Sequence, residues 1–158
     1  MFGALIRLLR EEGTKNIELA INVVYIFFCF SHFSQFHQFL SSNKVGDSCL
    51  RIVESELDRC KKLQDDIDQS KGNAKKLELA QKKLAKIRPY QEQLLAVCFH
   101  VLLNLAEDVT IEKKMKNRNI VFGLVEVLDW SNQELLIVSL TFLKKMSIFK
   151  ENKNDMVL

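Results

Sequence analysis

The sequence predicts an all-α protein built from stacked helical repeats, and three observations carry that prediction. Breakers are scarce, with one proline and five glycines in 158 residues, whereas a sheet protein needs many turns. Apolar residues make up 47% and charged residues 27%, enough for one domain with a modest core and too apolar for disorder. The apolar positions also recur. A shift of 75 residues sets Leu19, Val24, Phe27 and Phe30 on Leu94, Phe99, Leu102 and Leu105, and Leu40, Val45, Leu50 and Val53 on Met115, Ile120, Val125 and Leu128. A shift of 41 sets Leu94, Leu102 and Leu105 on Leu135, Leu143 and Met146, and Met115 on Met156. Gap-free matches at this density exceed what amphipathic helices produce alone. A unit of about 40–47 residues belongs to armadillo and HEAT repeats, so the expected architecture is an armadillo-type right-handed helical solenoid with an inserted helical hairpin.

The elements follow in order. Residues 2–12 read as the end of a preceding repeat, because Phe2-Gly3-Ala4-Leu5-Ile6-Arg7-Leu8-Leu9 matches Phe122-Gly123-Leu124-Val125-Glu126-Val127-Leu128. Repeat one takes 14–56 plus residue 90. Within it fall a long helix from about Ile17 to Phe33 with Asn16 at its N-cap, a short one from Phe36 to Ser41, and another from Val45 to Leu57. The two shifts differ by 34 residues, and residues 57–89 supply an insertion of that order, rich in Lys, Asp, Gln and Ala. Helical spacing runs through Leu57, Cys60, Leu63 and Ile67, breaks at Ser70-Lys71-Gly72-Asn73, and resumes through Leu77, Leu84 and Ile87. Asp65, Asp66 and Asp68 close the first arm while Lys75, Lys76, Lys82, Lys83, Lys86 and Arg88 fill the second, so antiparallel pairing would oppose their signs. Pro89 is expected just ahead of a new helix, where proline is tolerated. Residues 91–130 then hold the third helix of repeat one (about Gln91 to Glu107) and repeat two, with a short helix near Thr110–Lys116 and another over Ile120–Leu128. Residues 132–158 begin a truncated further repeat, with Asn132 capping a helix to Ile148 and the chain closing at Asp155-Met156-Val157-Leu158. The Leu94–Leu105 and Leu135–Met146 helices should lie side by side. Both ends fall within a repeat, which predicts a fragment of a longer solenoid with low solubility by itself.

Other features narrow the class. Net charge is +3 from 23 basic and 20 acidic side chains, weaker than the segregated excess of a nucleic-acid binder. Cys29, Cys49, Cys60 and Cys98 form no CxxC pair and no ligand spacing with the histidines. Three of the four sit among apolar residues at helical spacing, as free thiols of a reducing cytosol do. No Lys, Arg, Asp or Glu occurs from Leu19 to Asn43. The apolar run Ala20–Phe30 is about half the roughly 20 residues that a spanning helix needs, and polar Ser31, His32, Ser34, Gln35 and His37 follow it. A buried helix, without membrane insertion, is the expected reading. Gly3, Gly13, Gly46, Gly72 and Gly123 are too scattered for a phosphate loop. His32, His37 and His100 stand beside no nucleophile elbow or metal motif. No enzyme activity, cofactor, metal or small-molecule substrate is expected.

Several strings carry a family resemblance: Tyr25-Ile26-Phe27-Phe28-Cys29-Phe30, Ser34-Gln35-Phe36-His37, Glu92-Gln93-Leu94-Leu95, Leu102-Leu103-Asn104-Leu105-Ala106-Glu107-Asp108, Asn119-Ile120-Val121 and the long stretch from Phe142 through Lys150-Glu151-Asn152-Lys153-Asn154 to Met156. They resemble the kinesin-associated proteins, non-motor armadillo-repeat subunits of heterotrimeric kinesin. The resemblance covers nearly the whole chain and is weakest in the charged insertion. It implies a non-catalytic adaptor whose partners are kinesin motor tails and cargo proteins, in microtubule-based and intraflagellar transport. It places the chain in the cytoplasm, on the microtubule cytoskeleton and in the cilium. The alternative is a catenin-like armadillo or HEAT scaffold outside motor transport.

Two binding surfaces are expected. The third helices of a right-handed solenoid line its concave face. Import receptors of this architecture use a Trp and an Asn four residues apart there. The equivalent pairs here are Tyr25/Cys29, His100/Asn104 and Thr141/Lys145, of which only Asn104 fits, while Trp130 belongs to a turn. That peptide ladder is therefore absent, and Tyr25, His100, Asn104, Thr141, Lys144 and Lys145 are the candidate groove residues. The plainer reading makes Asn104 a partner for backbone groups and His100 a packed core histidine. The second surface is the 57–88 hairpin, either an arm for a coiled-coil partner or a solvated decoration.

Overall fold

The structure is a computed structural model that describes residues 1–106, Met115 and 120–148. The helix expected at Thr110–Lys116, Met115 apart, and the closing segment Asp155–Leu158 lie outside the described residues. Among the described residues seven α-helices follow one another: α1 (Phe2–Glu12), α2 (Ile17–Ser31), α3 (His37–Ser42), α4 (Val45–Gln69), α5 (Ala74–Leu105), α6 (Ile120–Glu126) and α7 (Gln133–Met146). Short 3-10 turns at Ser34–Phe36 and Val127–Asp129 precede α3 and follow α6. There is no strand among the described residues.

The helix starts are chemically explicit. The side chains of Asn16, Asn73 and Asn132 each sit in extended backbone and accept from the amide three residues on, Leu19 at 3.0 Å, Lys76 at 3.2 Å and Leu135 at 2.9 Å. Each satisfies one of the orphan donors of the first turn.

α5 is the organising helix, packing against α2, α4 and α7. The Leu94–Leu105 and Leu135–Met146 segments do lie side by side, and the Phe99 and Phe142 rings meet edge to face with centroids 6.4 Å apart. Phe27, Phe99 and Phe142 are wholly buried in one apolar cluster that runs from Ile6 to Met146. Each such side chain removed from water stabilises the fold by about 1.5–3 kcal/mol before chain entropy is set against it. Cys49 and Cys98 belong to that cluster as free thiols. Burial pushes the Cys98 thiol well above its ordinary value, and hydrogen bonding to Cys49 pushes the same way. It therefore behaves as a small hydrophobe.

Four expectations need correction. The arms of the insertion are not separate helices. α4 runs unbroken from Val45 to Gln69 and α5 from Ala74 to Leu105, because Leu57, Cys60 and Leu63 continue the buried seam of the helix that precedes them. Pro89 consequently sits inside α5 rather than ahead of a helix. It forfeits one backbone hydrogen bond, and packing of the adjoining Gln91–Leu105 stretch holds the helix through it. The match of α4 to α6 holds only in part: Val45 and Ile120 are both buried, whereas Leu50 is set on Val125, which is 46% exposed, and Val53 on half-buried Leu128. Last, α2 is not buried all round: Val23, Val24 and Phe27 face the core while Tyr25, Ile26 and Cys29 are exposed. Among the described residues no single helix is long and apolar enough to cross a membrane. Ile17–Ser31 and Ser34–Ser42 would suffice together by length and composition, but they are bent by 117° at their break.

Both arms of the α4–α5 hairpin are braced against the 120–130 region. Lys61 Nζ lies 3.4 Å from Glu126 Oε2 and 5.2 Å from the Phe122 ring centroid. Gly123 permits this approach of α6 to α4, since a Cβ there would come within 3.0 Å of Leu57 Cδ1. On the other arm the Arg88 guanidinium stacks 3.9 Å from the Trp130 centroid. The expected opposition of charge yields no ion pair between the arms among the described residues: Lys71 of the turn pairs with Asp68 at 2.8 Å, and Lys82 with Glu78 of its own arm at 2.6 Å.

Candidate protein-binding face

The candidate residues fall on α2, α5 and α7. Tyr25, 54% exposed on α2, has its ring 5.7 Å from that of Phe28. Phe28 in turn meets His32 at 4.5 Å and, across to α5, His100 at 5.1 Å. His100 Nε2 lies 3.8 Å from Glu134 Oε1 at the start of α7. A short aromatic string thus joins Tyr25 to His100, and His100 reaches the third helix. Burial lowers the His100 pKa, the Glu134 carboxylate opposes that shift, and His32 adds to it. The imidazole is therefore held toward its neutral form.

Asn104 and Ser31 form the polar link between α2 and α5. Asn104 Nδ2 donates to Ser31 Oγ at 2.8 Å, and Ser31 Oγ donates to the Phe28 carbonyl at 2.8 Å. His37 Nε2 lies 2.7 Å from the Ser31 carbonyl. A carbonyl only accepts, so that nitrogen carries the proton. Asn104 thus partners a side chain of the neighbouring helix rather than backbone. On α7, exposed Thr141 donates its hydroxyl to the Ile137 carbonyl at 2.8 Å. Lys144 and Lys145 occupy the last turn of α7, with Lys144 exposed and Lys145 half-buried. Two cations there suit the negative end of the helix.

The structure therefore joins Tyr25 with His100 through Phe28, and ties Asn104 to Ser31. Thr141, Lys144 and Lys145 share the C-terminal half of α7. Phe28, Ser31 and Glu134 escaped the sequence reading. Glu134, two residues past the Asn132 cap, is in sequence a first-turn acid and nothing more, and Phe28 is one more apolar residue in the Ala20–Phe30 run. Among the described residues no group of three or more His, Cys, Asp or Glu is placed to hold a metal ion.

Fold and face together define an all-α protein whose candidate surface is a row of helix side chains rather than a cleft around a reactive group. The chain matches, over residues 1–158, the family described as Kinesin-associated protein (KAP), and it belongs to that family. No solved structure matches it.

Proposed function

We propose that the chain is a non-catalytic adaptor that binds kinesin motor tails and links them to cargo in microtubule-based and intraflagellar transport. Membership of the kinesin-associated family across the whole length carries this reading. In it, α2, α5 and α7 are third helices of an armadillo-type right-handed solenoid, α4 and α6 are second helices, and residues 57–89 are a hairpin inserted in one repeat. The packing of α2 and of α7 against α5 supports that assignment. Tyr25, His100, Asn104, Thr141, Lys144 and Lys145 form the groove that receives a partner polypeptide. An exposed tyrosine backed by packed aromatics suits such a surface, because aromatic anchors dominate binding energy at protein interfaces. The work is done in the cytoplasm, on microtubules and in the cilium.

The test is retention of purified kinesin motor-tail segments by the immobilised chain in moderate salt. Wild type retains a tail, and a Tyr25→Ala/Lys144→Glu variant with unchanged helicity loses about tenfold or more in affinity, as loss of an aromatic anchor and reversal of a charge predict. Failure of wild type to retain any tail overturns the adaptor reading. Retention that the variant leaves unaltered overturns the groove.

A further inference from the structure

A half-open cavity of about 150 Å³ shares no residue with the α2–α5–α7 face. Its floor is apolar, formed by Leu9 of α1, Ala20 of α2, Ile52 of α4 and Leu94 of α5. Leu9, Ala20 and Leu94 are buried. Arg10 and Arg51 stand in its wall, both exposed, and among the described residues neither forms an ion pair. One carboxylate also lines it, Glu56, 9% exposed. Its oxygens are already engaged: Oε2 accepts from Gln91 Nε2 at 3.0 Å, and Oε1 lies 3.6 Å from Arg59 Nη1. The uncompensated charge at the cavity is therefore positive.

We propose that this cavity is a docking site for an acidic protein segment, one leucine-sized side chain of which fills it while flanking carboxylates meet Arg10 and Arg51. Size and charge select that occupant. Pockets that enclose drug-sized molecules span roughly 300–1,000 Å³, whereas an apolar space of about 150 Å³ accommodates a group the size of benzene. Room for one side chain and no more indicates an anchor whose remaining contacts lie outside. Two exposed guanidinium groups without carboxylate partners supply the planar, charge-assisted donors that suit aspartate and glutamate. The floor joins four helices, α1, α2, α4 and α5, so an anchor seated there touches elements on both sides of the α1–α2 turn. This site is independent of the motor-tail groove, and its failure leaves that reading untouched.

The experiment is a titration of the methyl-labelled 158-residue chain with short synthetic peptides, read by methyl and arginine side-chain chemical shifts. One peptide carries a single leucine among glutamates, a second replaces the leucine with alanine, and a third replaces the glutamates with lysines. The acidic leucine peptide shifts the Leu9, Ile52 and Leu94 methyl signals. The alanine peptide binds about tenfold more weakly, which is what loss of a buried aliphatic group predicts. The charge-reversed pair Arg10→Glu/Arg51→Glu loses the acidic peptide and gains the lysine peptide, a swap that misfolding cannot produce. Ser55→Trp, at an exposed wall position, blocks every peptide without lowering the melting temperature. Equal binding of the alanine peptide, shifts confined to residues outside the cavity, or unaltered affinity in the charge-reversed variant each overturn the proposal. So do shifts of the same methyls that grow with protein concentration in the absence of peptide, which would assign the cavity to a second copy.

Discussion

Lys44 alone among the described non-glycine residues takes a positive φ, 58°. It turns the chain between α3 and α4, where its amide donates to the Ser41 carbonyl at 2.9 Å and its carbonyl accepts from Ser48 N at 3.1 Å. A side chain in the left-handed region costs about 1–2 kcal/mol, part of which glycine returns as extra unfolded-state freedom. Lys44→Gly is therefore expected to raise stability by about 0.5–1 kcal/mol in a thermal melt, and a lowered melting temperature would contradict the turn assignment. His100 gives a second residue-scale prediction. Its folded pKa lies below the ordinary value, so the unfolded chain binds the proton more readily. The folded state loses stability as pH falls through about 6.5 toward the lower folded value, and pays nothing above that window. His100→Gln should flatten that part of the stability–pH curve, and an unchanged slope between neutral and mildly acidic pH would refute the shift. At this scale the sequence was most legible at caps: Asn16 and Asn132 were readable because the bond they make is three residues long. Phe28, Ser31 and Glu134 were not, because their contacts to His100 and Asn104 cross helices distant in sequence.

At the scale of elements, the break at residues 70–73 was readable from composition, and Asn73 caps the helix that follows. The continuity of α4 and α5 was not. A proline rule that places Pro89 at a helix start rests on local hydrogen bonding, whereas the buried face from Gln91 onward stabilises the helix through the defect. The braces on the hairpin were equally hidden, since Arg88 and Trp130 are distant in sequence and meet across helices. Arg88 Nη1 is buried without a hydrogen-bond partner, so the stack on Trp130 is its main compensation. A double-mutant cycle on Arg88→Ala and Trp130→Phe is expected to give a coupling energy of about 0.5–2 kcal/mol. Arg88→Ala alone should also alter the emission of Trp130, the single tryptophan. Zero coupling with unchanged emission would mean that the insertion is not braced there.

On the scale of the whole molecule, α5 connects α2, α4 and α7. Its Gln91–Leu105 half lies against α2 and α7, while its other half extends into the hairpin. The repeat match foretold which helices would be neighbours, because positions that share a core must share spacing. The exposure of Val125, set on buried Leu50, escaped it, since Val125 and Leu124 are both apolar and only burial tells them apart. The exposure of Ile26 and Cys29 on α2 escaped it too, because an uninterrupted apolar run does not reveal which flank a neighbour covers. Tyr25, with the candidates on α5 and α7, belongs to the surface proposed for motor tails. Hydrogen–deuterium exchange of the full chain with and without a saturating kinesin tail tests that assignment most directly. Added protection across α2, Gln91–Leu105 and α7 is the predicted result. Protection absent there, or confined to residues 57–88 of the hairpin, would contradict it.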